Sequence, residues 1–217
     1  MARKVLDRWN TLLPPRQAPA CPAELLFAMV VLLQAWGQQE VACSSLLCFC
    51  GLLRVSEALR LTPRHVVLTG SYCVLLLGDT KRGVEDRVVL HHPSVIGWLR
   101  NYCHWRQACN DDKLFGISYP RFQRWLRRAA AALGFADLEL STQSLRRGGA
   151  TQLLRAGVQF QDIALCGRWR SDRSVKEYLR QGEVALTRAS ATHSAGDWER
   201  LAAVGRLHRI AWRDTTV

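Results

Sequence analysis

Residues 141–180 read STQSLRRGGATQLLRAGVQFQDIALCGRWRSDRSVKEYLR, and their spacing predicts three short helices carrying an arginine pair, a Gly-Arg-Trp and a tyrosine. Ser141 suits an N-cap, Leu145 with Leu153 and Leu154 gives an apolar stripe, and Gly157 follows the last periodic residues as a helix-ending glycine does. Arg146 falls in the first turns of this helix. Phe160, Ile163, Ala164 and Cys166 recur at three- and four-residue spacing and predict a second helix, ended by Gly167, with Trp169 just outside it. Ser171 or Asp172 caps a third short helix that carries Tyr178. Arg168, Arg170, Arg173, Lys176 and Arg180 surround the phenol in sequence, a setting expected to ease its ionisation.

Composition points the same way. A chain of 217 residues with 48% hydrophobic content can bury one good core or two small ones, so it is not disordered. Its net charge is +12 and its pI about 9.9, and with only Lys4, Lys81, Lys113 and Lys176 as lysines that charge is almost all arginine. Arginine's planar fork suits phosphate oxygens, and a basic surface of this size is the footprint of a polyanion binder. A GC-rich genome accounts for part of the arginine-to-lysine ratio but not for the net charge. Eight cysteines form no CxxC pair. Cys103-His104 with Cys109 is the nearest approach to a ligand cluster and matches no common zinc spacing, so buried, reduced thiols and no metal are expected. The apolar run Leu25–Leu33 is too short to span a bilayer and the N-terminus lacks a secretory pattern, which predicts a soluble, intracellular protein with no membrane partner.

In chain order, residues 1–20, broken by Pro14, Pro15 and Pro19, read as a linker or arm. Helices are predicted from Pro22-Ala23-Glu24 to about Trp36 and from about Gln39 to Cys50, where Gly51 ends the run. In Gly51–Leu61, GLLRVSEALRL, Leu53, Ala58 and Leu61 can face a core while Arg54 and Glu57 share a face, by itself an ordinary surface ion pair. His65–Leu68, Tyr72–Leu77 and Val84–Leu90 read as three strands, the last two joined by a hairpin over Asp79–Gly83 that carries Lys81. A helix over Pro93 to about Ala108 has Trp98, Tyr102 and Trp105 on one side. Residues 119–134 predict a helix with Arg121, Arg124, Arg127 and Arg128 on a basic face and Phe122, Trp125, Leu126 and Ala129 opposite, an arrangement suited to a DNA backbone. Beyond Tyr178, Ser190–Gly196 reads as a loop and Asp197–Trp212 as a last amphipathic helix.

The order Arg146, Gly167-Arg168-Trp169, Tyr178, preceded by the nearly complete Gly51–Leu61 motif, resembles the active site of tyrosine recombinases, the phage-integrase family. The wording SLRRGGAT…GRWRSD is most similar to enzymes of eukaryotic mobile elements, the cryptons and tyrosine-recombinase retrotransposons. The resemblance covers roughly residues 22–181. It implies a mixed fold, mainly α with a small antiparallel three-stranded sheet, that of the recombinase catalytic domain. The implied activity is site-specific recombination or integration of double-stranded DNA through a 3′-phosphotyrosyl intermediate, with no cofactor. In that scheme Tyr178 attacks, Arg54 and Arg146 grip the phosphate, Trp169 donates an N–H to it, Lys81 protonates the leaving hydroxyl and Glu57 supports the site. Arg121, Arg124, Arg127, Arg128, Arg168 and Arg170 would contact DNA. The resemblance further implies a catalytic domain over 21–190 and a C-terminal helix and tail over 191–217, which docks on a second copy on DNA or packs within the chain. A eukaryotic host would make the protein nuclear. Gln143 departs from the pattern: the family has His, sometimes Lys, at this place, and glutamine cannot shuttle a proton at neutral pH. Only about fifty residues precede Arg54, all explicable as catalytic-domain helices, so the resemblance predicts a catalytic domain without the family's N-terminal clamp. These two departures support the alternative of a catalytically impaired DNA-binding remnant.

Overall fold

A computed structural model describes residues 18–79, 85–106 and 112–208 of the chain. Lys81, the hairpin tip around it, Cys109 and most of the expected N-terminal arm lie outside the described residues.

The helices α1 (Ala23–Ala35) and α2 (Gln39–Cys50) form the centre. Each is buried around nearly its whole circumference. In α1 this follows from the continuous apolar run Leu25–Val30; in α2 the small Ser44 and Ser45 sit fully buried among Val41, Leu46, Leu47 and Phe49. Ser44 satisfies its hydroxyl by donating to the Glu40 carbonyl one turn back. The short α3 (Val55–Ala58) follows, with Arg54 at its N-cap and Glu57 bonding back to the Arg54 backbone N–H.

Strands β1 (Val66–Leu68), β2 (Cys73–Asp79) and β3 (Glu85–Leu90) make one antiparallel sheet in that order. Val66 pairs with Leu75, and Cys73 with Leu90. Cys73, Leu75, Val88 and Leu90 face the core, while Val67 and Val89 face outward, the period-two alternation of a one-sided sheet. The mainly helical fold with a small three-stranded antiparallel sheet is the one the sequence predicts.

Next come α4 (Pro93–Arg106), packed on α2, and α5 (Tyr119–Ala132), capped by Ser118 and packed on α1. Trp125 departs from expectation. It lies four residues from Arg121, hence on the same face, and is half-buried 5.9 Å from Trp36 with the Arg128 guanidinium over both rings.

Helix α6 (Thr142–Arg155) crosses α2 at close range. A Cβ on Gly148 would stand 2.1 Å from the Cys21 carbonyl oxygen, and one on Gly149 would stand 2.0 Å from that of Phe49. The Gly-Gly pair is therefore what brings Arg146 and Arg147 against the core. The expected linker differs too at its end: Ala20 and Cys21 are buried, and the Cys21 N–H donates to the Ser144 carbonyl.

The short α7 (Phe160–Cys166) is followed by α8 (Asp172–Thr192). The latter is one helix of 21 residues, not a short helix and a loop. Gly182 continues it, because a Cβ there would meet Thr151 Oγ1 at 2.0 Å, so the glycine marks a close crossing with α6 and not a break. No change of structure falls at residue 190. On α7, Ile163 is buried but Cys166 is exposed, contrary to the expected stripe. Helix α9 (Ala195–Leu207), capped by Ser194, lays Leu201 and Gly205 on α1, so its apolar face is covered within the chain. Among the described residues no helix is long and apolar enough to cross a membrane.

Candidate active site

A small cluster separate from the main core, Leu52, Ala150, Ile163, Val175 and Leu179, ties α6, α7 and α8 together and carries Trp169 and Tyr178 on its edge. The result is a cleft of about 310 Å³ lined by Arg54, Ser56, Tyr119, Thr142, Gln143, Arg146, Trp169 and Tyr178. Five residues singled out from three separated motifs thus share one cavity. Lys81 lies outside the described residues.

Glu57 organises the basic side of this cleft. Its carboxylate is 2.6 Å from Arg54 Nη1, 2.6 Å from Arg168 Nη2 and 3.9 Å from Arg146 Nη1. Burial pushes its pKa up, but Arg168 and Arg54 pull harder and hold it below the ordinary carboxylate value. Three guanidiniums share one carboxylate, which leaves an excess of positive charge. Burial, together with Arg54 and Arg168, lowers the Arg146 pKa to about 10, so Arg146 is still a cation at neutral pH. Its Nη2 donates to the Gly167 carbonyl, while Nη1 is buried without a hydrogen-bond acceptor. A buried cationic donor without an acceptor is costly unless an anion comes to it.

Arg168 is turned towards Glu57. It adopts φ +55°, the left-handed conformation, which Gly167 before it does not. Its side chain turns inward to Glu57 and the Leu52 carbonyl, itself on a residue at φ +48°. It therefore supports the Arg54–Glu57 pair, with its side chain only 11% exposed. Gly167 is required for another reason: a Cβ there would lie 1.6 Å from the Trp169 ring.

The aromatic side is a stack. The Arg146 guanidinium lies 4.6 Å from the Trp169 ring centroid, that of Arg147 lies 4.5 Å from the Tyr178 centroid, and the two rings are 5.3 Å apart. Tyr178 donates a long hydrogen bond, 3.5 Å, to the Gln143 carbonyl. The expectation of an easily ionised phenol does not hold. Burial lifts its pKa above the ordinary value and outweighs Arg146, Arg147 and Arg54, the cations that face it. The arginines flanking it in sequence face elsewhere: Arg170 and Arg173 are exposed, and Arg180 pairs with Glu177.

Gln143 is exposed on the lip of the cleft. Tyr119, whose hydroxyl is 2.7 Å from Thr142 Oγ1, and Arg147 were missed from sequence; a tyrosine at a helix start and the second of two arginines carry no signal of their own. On α5, Arg121, Arg124, Arg127 and Arg128 are all exposed, with Arg127 bonded to the Leu140 carbonyl.

Residues 33–183, a span that holds every one of these motif positions, match the phage integrase family, the tyrosine recombinases. The chain belongs to that family. Among solved structures, XerA recombinase is similar with a TM-score of 0.63 and 20% identity over 85% of this chain and 68% of that one. XerH site-specific recombinase bound to its difH substrate before cleavage gives 0.61 and 17%, over 76% of this chain and 52% of that one. Its post-cleavage complex with a palindromic difH substrate gives 0.58 and 17%, over 73% and 48%. At these identities the likeness establishes the fold, and the chain spans about half the length of the XerH chains. No curated protein sequence matches it.

Proposed function

We propose that this phage-integrase-family domain cleaves and rejoins double-stranded DNA with Tyr178 as nucleophile. The observation that carries the reading is the buried, acceptor-less Nη1 of Arg146 in a cleft shared with Arg54, Trp169 and Tyr178. A phosphodiester bound there supplies the missing acceptor. The Tyr178 oxygen attacks phosphorus as its proton passes to solvent water at the cleft mouth, a 3′-phosphotyrosyl bond forms, the bond to the 5′ oxygen breaks, and that oxygen takes up a proton from Lys81. Arg54, Arg146 and the Trp169 N–H neutralise charge on the pentavalent phosphorane. No metal or nucleotide cofactor enters these steps. Arg121, Arg124, Arg127, Arg128 and Arg170 give the surrounding surface its phosphate contacts, and XerH, a relative in fold, is seen with DNA bound.

Gln143 favours a second reading, a DNA-binding remnant, because a glutamine cannot relay the phenolic proton and the phenol's pKa is raised. The motif wording supports a crypton or retrotransposon source, hence a mobile element and, in a eukaryote, the nucleus. Residues 21–190 would be the catalytic unit, and copies would meet on DNA through the C-terminal end of α9, where Leu207 is exposed. The test is a nicked suicide substrate: a covalent adduct formed by the parent and absent in Tyr178→Phe supports the enzyme. Binding that weakens with salt, survives Tyr178→Phe and is reduced by Arg121→Glu with Arg124→Glu, with no adduct on any substrate, supports the remnant.

A further inference from the structure

Arg147 follows the phosphate-gripping Arg146 in sequence but leads a different life. It is only 2% exposed and does not line the cleft. Its guanidinium lies against the Tyr178 ring, and beyond it is a groove bounded by Ala18, Pro19, Gln181 and Val184. It therefore cannot touch a phosphate held between Arg54 and Arg146. Nη1 donates to the Ala18 carbonyl. Ala18 is held in turn, because the Cys21 N–H bonds to Ser144 at 2.9 Å and Gly148 leaves no room between α6 and the Cys21 carbonyl. The chain entering the domain thus docks on the first turns of α6 and closes Arg147 over Tyr178.

We propose that Arg147 is a positioning residue for Tyr178, holding its ring in the attacking orientation and lending it positive charge, and that residues 18–21 lock Arg147 in that place. The proposal rests on Tyr178 being the nucleophile. A cation over the ring face favours one ring orientation, and a misplaced nucleophile loses the advantage of proximity. The charged groups facing the phenol are Arg146 and Arg147 from α6 and Arg54 from the α3 N-cap, so removing Arg147 removes one of three cations and a hydrogen-bond partner. Burial lowers the pKa of Arg147 itself, while the phenol opposes that change.

The test uses the full chain and the variant Arg147→Met, similar in length and apolar. Tyr178 ionisation is read as the ultraviolet difference titration between each protein and its Tyr178→Phe counterpart. Loss of the cation raises the titration midpoint, whereas mere loosening of the packing would expose the phenol and lower it, so the direction separates a positioning role from a structural one. On a suicide substrate, adduct formation falls roughly tenfold with DNA affinity unchanged, and Arg147→Lys recovers part of both signals. If Arg147→Met does not fold, Arg147→Gln takes its place under the same criterion. A midpoint that is unchanged or lower overturns the proposal. If the parent yields no adduct on any DNA, the recombinase reading fails, and the titration still decides the role of Arg147.

Discussion

Replacing Glu57 by alanine removes the carboxylate that Arg54, Arg146 and Arg168 share. Two of its contacts are short, 2.6 Å each, and its side chain and that of Arg168 are 20% and 11% exposed. Breaking a fully buried pair costs about 3–5 kcal/mol, and the partial exposure of Glu57 and the greater exposure of Arg54 bring this to about 2–4 kcal/mol. For a domain of this length that is a fall in Tm of roughly 5–15 °C. Adding Arg168→Met should recover part of the loss, because it removes one of the guanidiniums left repelling the others. The effect has a pH signature. The Glu57 pKa is held below its ordinary 4.5, so its contribution is complete above that value and disappears as the pH falls through the lower native one. The difference between parent and Glu57→Ala should therefore shrink on acidification and stay level from pH 6 to 8. Thermal melts by circular dichroism at several pH values read both effects. A variant melting within about 1 °C of the parent at pH 7, against the several degrees expected, would refute the view of Glu57 as the organising anion.

Other substitutions follow from the same geometry. Gly167→Ala puts a methyl group into the Trp169 ring, so tryptophan emission should change, stability should fall by about 1–3 kcal/mol in urea melts, and adduct formation should be lost. Gln143→His should raise adduct yield by about one to two orders of magnitude by supplying a proton relay at the cleft lip, an increase that disappears in a Tyr178→Phe background. Equal yields with and without the imidazole would mean that positioning, not proton transfer, limits the reaction.

Much of this architecture was legible because its signals are local. The apolar runs of α1 and α2, the Ser141 start and the β-rich runs of the three strands depend on neighbours a few residues away. Arg54, Arg146, Trp169 and Tyr178, picked out by the family resemblance, line one cleft in the fold. Features set by contacts distant in sequence were not legible. The helix carrying Tyr178 looked short, yet it runs on to Thr192 past Gly182, the point where α8 crosses Thr151; Arg168 looked like surface charge, yet a left-handed backbone turns it to Glu57, 111 residues earlier. Counting nearby arginines misjudged the phenol, because helix geometry carries Arg173 and Arg180 away while burial, invisible in the charge pattern, raises the pKa.

Two phenols line the cleft, Tyr178 and Tyr119, and the account assigns attack to only one of them. The most direct test is to trap the parent on a suicide DNA substrate, digest the complex with trypsin and nuclease, and locate the nucleotide-bearing peptide by mass spectrometry. The account predicts a single modified peptide containing Tyr178, with the DNA joined through its 3′ phosphate. Modification at Tyr119 or elsewhere, or linkage through a 5′ phosphate, would contradict it.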